Sequence, residues 1–184
     1  MMLHDLIATA RVAAQVILAL TFAIAAIGKL RHSGELLGVV QNYRLLPEWA
    51  VEPAARLLPW LELAVVVCLL LVPPAGAAGA AFLLAVFAIA MAVNLRRGRA
   101  HIDCGCGQST LTQRLRWALV WRNAGLLALA PLAALPGYTP SWSDVCSGVA
   151  CGVAIQLVLV SANALLALGP APARRRIRIV GGAA

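Results

Sequence analysis

The stretch His101-Ile102-Asp103-Cys104-Gly105-Cys106-Gly107 sets two thiols one residue apart, flanked by glycines, beside a carboxylate and an imidazole. Cysteines at this spacing close a disulfide only through a tight, strained backbone, because their Cα atoms stand near the upper end of the permitted separation. Gly105 supplies the backbone freedom that closure demands. A strained disulfide is easily reduced and therefore oxidising, which suits exchange with a partner thiol. Asp103 can accept or return a proton, His101 can do the same or ligate a metal, and the nearby arginines favour the thiolate. Three readings compete: thiol-disulfide exchange; a zinc or copper site built from His101, Asp103, Cys104 and Cys106, with a spacing compressed relative to paired Cys-x-x-Cys ligands; and reduced cysteines in a tight turn.

The other cysteines carry weaker signals. Cys146 and Cys151 are five residues apart, which on a continuous helix turns their side chains well away from each other, so pairing requires Cys146 to precede the helix. Packing of small buried thiols is the competing explanation, and the simpler one for Cys68 on its aliphatic helix. With five cysteines in all, at most two pairs can form.

These residues are embedded in a chain that avoids water. Of its 184 residues, 62% are hydrophobic and only 12% charged, with a mean hydropathy of +0.88, against about a quarter charged in a soluble domain. Apolar runs near the roughly 20 residues needed to cross a bilayer recur, at about 7–27, 54–72, 76–95, 117–136 and 149–168, followed by a basic tail over 170–184. The sequence therefore predicts a single all-α integral membrane domain. The first run is too long for a cleavable signal and lacks a small-residue cleavage site after it, so it reads as a retained anchor. Between the first two runs, Gly34, Pro47 and Pro53 are expected to break helix, and the apolar pairs of Ser33 to Glu52 predict a short helix on the membrane face. The polar segment with Tyr138, Trp142, Asp144 and Cys146 is expected to lead into the fifth span.

The net charge of +8 does not point to nucleic acid, because aromatics are sparse and the basic residues line no single face. They sort by topology. With five spans, one side holds only Arg11, and the other holds Lys29, Arg31, Arg44, Arg56, Arg96, Arg97, Arg99, Arg114, Arg116 and the four arginines of the tail. The positive-inside rule makes the second side cytoplasmic. The N-terminus is then outside, the C-terminus and the Cys104/Cys106 loop are inside, and Cys68, Cys146 and Cys151 lie towards the outer face.

Inside the spans stand Lys29, Glu62, Arg122 and Asn123, all expected in the cytoplasmic half. A lone carboxylate or guanidinium there is expensive, so Glu62 is expected to pair with Arg122 or Lys29. Such a pair either fixes helix register or provides a polar floor or proton path beneath the cysteine loop. Asn94, Gln156 and Asn163 are expected to make interhelical hydrogen bonds, and the tail arginines to touch anionic lipid.

Taken together, Gly28-Lys29-Leu30, Tyr43-Arg44-Leu45-Leu46-Pro47, Leu58-Pro59-Trp60-Leu61-Glu62, Leu95-Arg96-Arg97-Gly98, Ile102-Asp103-Cys104-Gly105-Cys106-Gly107 and Trp121-Arg122-Asn123 resemble the MauE family, related to DoxX-like membrane proteins. The resemblance covers about 8–135. It implies a DoxX-like four-helix transmembrane core, to which the fifth C-terminal helix is added. It also implies redox maturation work, centred on Asp103 to Gly107, in forming the disulfides of the methylamine dehydrogenase small subunit alongside a thioredoxin-like partner. Cys146 and Cys151 fall outside the matched region. A membrane scaffold subunit for a partner and a metal-handling protein are the alternatives. A membrane thiol pair also needs an electron acceptor, for which a quinone qualifies, although no residue set in the sequence marks a quinone pocket.

Overall fold

The computed structural model describes residues 2–104, 114–136 and 140–168. Gly105, Cys106, Gly107 and the basic tail lie outside the described residues. The described chain is all helix apart from one isolated bridge: α1 (Met2–Arg31), α2 (Ser33–Tyr43), α3 (Glu48–Leu71), α4 (Pro73–Arg96), α5 (Trp117–Ala134) and α6 (Trp142–Leu168). Five of these, all but α2, are long and apolar enough to cross a membrane. With the hydrophobic composition, this makes the protein an integral membrane helical protein. Exposed Leu57, Leu70, Phe82, Ile89, Leu157 and Val158 give the bundle an apolar outer surface suited to lipid. Exposed Trp49 and Trp117 at the starts of α3 and α5, and Trp142 at the start of α6, stand where interfacial anchors belong.

Helices α1, α3, α4 and α5 form the core, in which α1 packs on α3 and α5, and α4 packs on both α3 and α5. Their contact is filled by Leu18, Phe22, Leu69 and Leu84 together with Ala14, Ala77, Ala80, Ala130 and Ala133. Alanines let helix backbones approach closely, which matters where lipid supplies no hydrophobic drive for association. Helix α6 docks on the outside of α1. At Gly148 an added Cβ would lie 2.6 Å from Val12 Cβ, and at Gly152 2.8 Å from Val16 Cβ. Both positions therefore demand a residue without a side chain.

The helix ends differ from the sequence expectations in instructive ways. α1 starts at Met2 instead of about residue 7, with Asp5 in its first turn and Lys29 and Arg31 in its last, each complementing the helix dipole. At 30 residues it is about 45 Å long, more than a bilayer core requires. Pro47 does end the connection, as the cap of α3, but Gly34 lies inside α2 and Pro53 inside α3. A proline beyond the first turn removes one hydrogen bond and crowds the carbonyl four residues back, and apolar burial of the rest of the helix outweighs that loss. The turn before α3 is made by Arg44 in the left-handed region (φ 47°).

α6 begins at Trp142, seven residues before the expected start. Ser141 N–H donates to Asp144 Oδ2 at 2.9 Å, Ser141 Oγ donates to the same oxygen at 2.6 Å, and Asp144 N–H returns a bond to Ser141 Oγ at 3.3 Å. This reciprocal cap winds the polar segment into helix. Thr9 Oγ1 donates to Asp144 Oδ1 at 3.3 Å and ties the cap to α1. Cys146 and Cys151 consequently share one continuous helix, and the condition for their pairing, Cys146 ahead of the helix, is not met. Both are exposed thiols without a disulfide.

Candidate functional site

The up-and-down course brings the ends of α1 and α4, the starts of α3 and α5, α2 and the cysteine loop to one end of the bundle. The loop leaves through a narrow neck. Asp103 and Arg114 form an antiparallel bridge, and Leu115 N–H donates to Ile102 C=O at 2.9 Å. Ile102 and Leu115 are buried against Met91 and Leu119 in a small second core, with Tyr43 and Cys104 packed at its edge. Tyr43 Oη donates to Cys104 C=O at 3.2 Å, and Arg99 Nη1 donates to Asn42 C=O at 3.3 Å. The end of α2 is thus bonded both to the first cysteine and to the segment leading into the loop.

Behind this neck lies a cavity of about 370 Å³. Its wall is mostly aliphatic, with Phe87 from α4, Tyr43 from α2 and Gln156 and Asn163 from α6. Cys104, Lys29, Glu62, Arg122 and Asn123 all line it. Lys29 Nζ donates to Glu62 Oε1 at 2.6 Å. Glu62 is fully buried and Lys29 is 7% exposed, and the ammonium lies 5.6 Å from the centroid of the Phe87 ring. Lys29, one of the two expected partners of Glu62, makes an ion pair with it. Arg122 Nη2 donates to Asn123 Oδ1 at 3.5 Å, and Asn123 is buried. Because α3 starts at Glu48, Glu62 stands about 21 Å along its helix instead of the 12 Å expected from a start at 54.

The remaining sequence candidates divide. Asp103 is half-buried in the neck, where its backbone makes the bridge, while His101 is exposed on its outer side. Gly105 and Cys106 lie outside the described residues. Among the described residues, no group of three or more His, Cys, Asp or Glu is placed to hold a metal ion. Cys146, Cys151 and Cys68 are absent from the cavity wall. Gln156 accepts a hydrogen bond from Thr21 at 3.2 Å, an interhelical link as expected. Asn94 instead donates within its own helix, to Ala90 C=O at 3.1 Å. Tyr43 and Phe87 were not singled out for a role from the sequence. Nothing local in Tyr43-Arg44-Leu45-Leu46-Pro47 distinguishes a tyrosine that reaches across to a loop 61 residues later.

A model of the family described as methylamine utilisation protein MauE matches residues 7–136. The chain belongs to the MauE family. Among curated relatives, the methylamine utilization protein MauE of Paracoccus denitrificans is 45% identical over 165 residues, covering 86% of this chain and 88% of the relative. That of Methylorubrum extorquens is 44% identical over 156 residues, covering 82% and 84%. That of Methylophilus methylotrophus is 40% identical over 175 residues, covering 92% and 91%. The latter alignments reach beyond the family core towards α6. No solved structure matches the chain.

Proposed function

We propose that this MauE-family protein acts in methylamine utilisation as a membrane thiol-disulfide component that supports disulfide formation in a partner protein. The observation that carries the reading is the seat of Cys104. The first cysteine of a Cys-x-Cys pair lies at the edge of a packed neck, bonded through its carbonyl to Tyr43, and faces a cavity containing a buried ion pair. A thiol serving only as filler needs no such support.

The chemistry is exchange. A partner's thiolate attacks the Cys104–Cys106 disulfide, a mixed disulfide forms, and a second partner thiolate releases the reduced pair as the partner closes its own disulfide. Asp103 stands next to the pair in sequence as the proton acceptor or donor. The partner class follows from the family resemblance: a thioredoxin-like protein, and behind it the disulfide-rich small subunit of methylamine dehydrogenase. Under the positive-inside orientation the loop is cytoplasmic, so the pair acts on an internal partner or electrons must cross the bundle. Placing Cys146 and Cys151 on one helix, away from the cavity, gives no support to a relay through them.

The test is trapping. In Cys106→Ser, Cys104 should accumulate a mixed disulfide with a thioredoxin-like protein, and Cys104→Ser with Cys106→Ser should stop partner maturation. Full maturation in the double serine variant would overturn the redox role and leave a scaffold. Maleimide labelling of Cys104 from the outside alone would reverse the orientation.

A further inference from the structure

The cavity has properties that the exchange reaction leaves unused. Its volume of about 370 Å³ falls in the range of small-molecule sites. Ile24 and Val86 line it and are also exposed on the bundle surface, so it communicates with the surrounding hydrocarbon. Its polar groups are concentrated and rich in donors: the Lys29–Glu62 pair, which cancels to no net charge, the Arg122 guanidinium and the buried amide of Asn123, with the Phe87 ring beside the ammonium. A fitting ligand has a flat head with hydrogen-bond acceptors for these donors and a lipid-soluble tail.

We propose that this cavity binds a membrane quinone, whose ring sits beside Lys29, Asn123 and Phe87 and whose tail leaves past Ile24 and Val86. The assignment of the quinone as electron acceptor rests on the thiol-disulfide reading above; its binding does not. The step balances without a further reagent. The two thiols of Cys104 and Cys106 lose two protons and two electrons as their S–S bond forms, and the two quinone oxygens take both protons as the ring gains both electrons. Cys104 lines the same cavity as Lys29, Asn123 and Phe87, so the thiol and the acceptor share one chamber.

The experiment uses the full chain in nanodiscs of quinone-free phospholipid, with an azido-ubiquinone photolabel mapped by mass spectrometry. Labelling should concentrate in α1 and α4 peptides bordering the cavity and fall at least tenfold with excess decylubiquinone. It should fall similarly in Ala25→Phe and in Ala90→Phe, two independent fillings of the wall, each checked for folding by its circular-dichroism melt. It should persist in Cys104→Ser. Competition by decylbenzene or phosphatidylglycerol as strong as by decylubiquinone would show a site for lipid chains and overturn the proposal. So would labelling insensitive to both fillings in folded protein. In parallel, reduced protein is mixed with decylubiquinone and the oxidised-quinone absorbance followed. One equivalent should bleach with wild type and none with Cys104→Ser. Specific labelling without bleaching would overturn the acceptor role. If bleaching is seen but the double serine variant still matures its partner, the maturation reading fails and the quinone site stands.

Discussion

Removing one partner of the Lys29–Glu62 pair should be far worse than removing both. At 2.6 Å the mutual attraction is about 6 kcal/mol for an effective dielectric constant near 20. Desolvating the two charges costs several kcal/mol each and largely cancels that gain. The pair therefore adds little net stability, yet either ion deprived of the other keeps its desolvation cost and loses the attraction that offset it. Lys29→Met and Glu62→Leu are each expected to destabilise by about 3–5 kcal/mol, more than a hundredfold in the unfolding constant. The double variant is expected within about 1 kcal/mol of the parent, because an apolar pair of similar volume replaces a buried salt bridge at little cost. Reversible unfolding in bicelles, read by steric trapping, completes the cycle. Single losses below about 1 kcal/mol, or a double loss equal to their sum, would refute the reasoning.

Three further outcomes follow from packing and hydrogen bonding. Tyr43→Phe removes the bond to Cys104 C=O, worth about 0.5–1.5 kcal/mol; Cys104 should react several-fold faster with maleimide while the global melt barely moves. Gly148→Leu should break the α1–α6 contact, since its Cβ meets Val12 at 2.6 Å; a cost of about 1–3 kcal/mol or outright undocking should appear as lost cross-linking between cysteines placed on the two helices, with the four-helix core intact. Ser141→Ala should fray the start of α6 at about 0.5–2 kcal/mol, seen as faster amide exchange over Trp142 to Cys146.

Much of the architecture was legible one segment at a time. Each long apolar run became a helix because a backbone in hydrocarbon has to satisfy its own hydrogen bonds, and the helix does this within a single segment. The short α2 was legible from its apolar pairs ahead of Pro47, although Gly34 lies within it and does not bound it. Pro53 does not end α3, because the cost of a helix-interior proline, about 3 kcal/mol or more, is outweighed by burial of the long apolar segment. The start of α6 lies outside the apolar run because it is set by the polar capping pattern of Ser141-Trp142-Ser143-Asp144, which hydropathy does not register.

The sequence by itself determined the membrane setting, the number of spans, the all-helical class and the Cys104–Cys106 motif, since hydropathy and motif spacing are properties of contiguous residues. Tertiary structure alone decided that Glu62 bonds Lys29, that Tyr43 holds the cysteine neck, that α6 seats on α1 through Gly148 and Gly152, and that Cys104 shares a cavity with the ion pair. Each of those depends on which faces of distant helices meet, and the rotation of a helix about its axis is set by its neighbours as well as by its own composition.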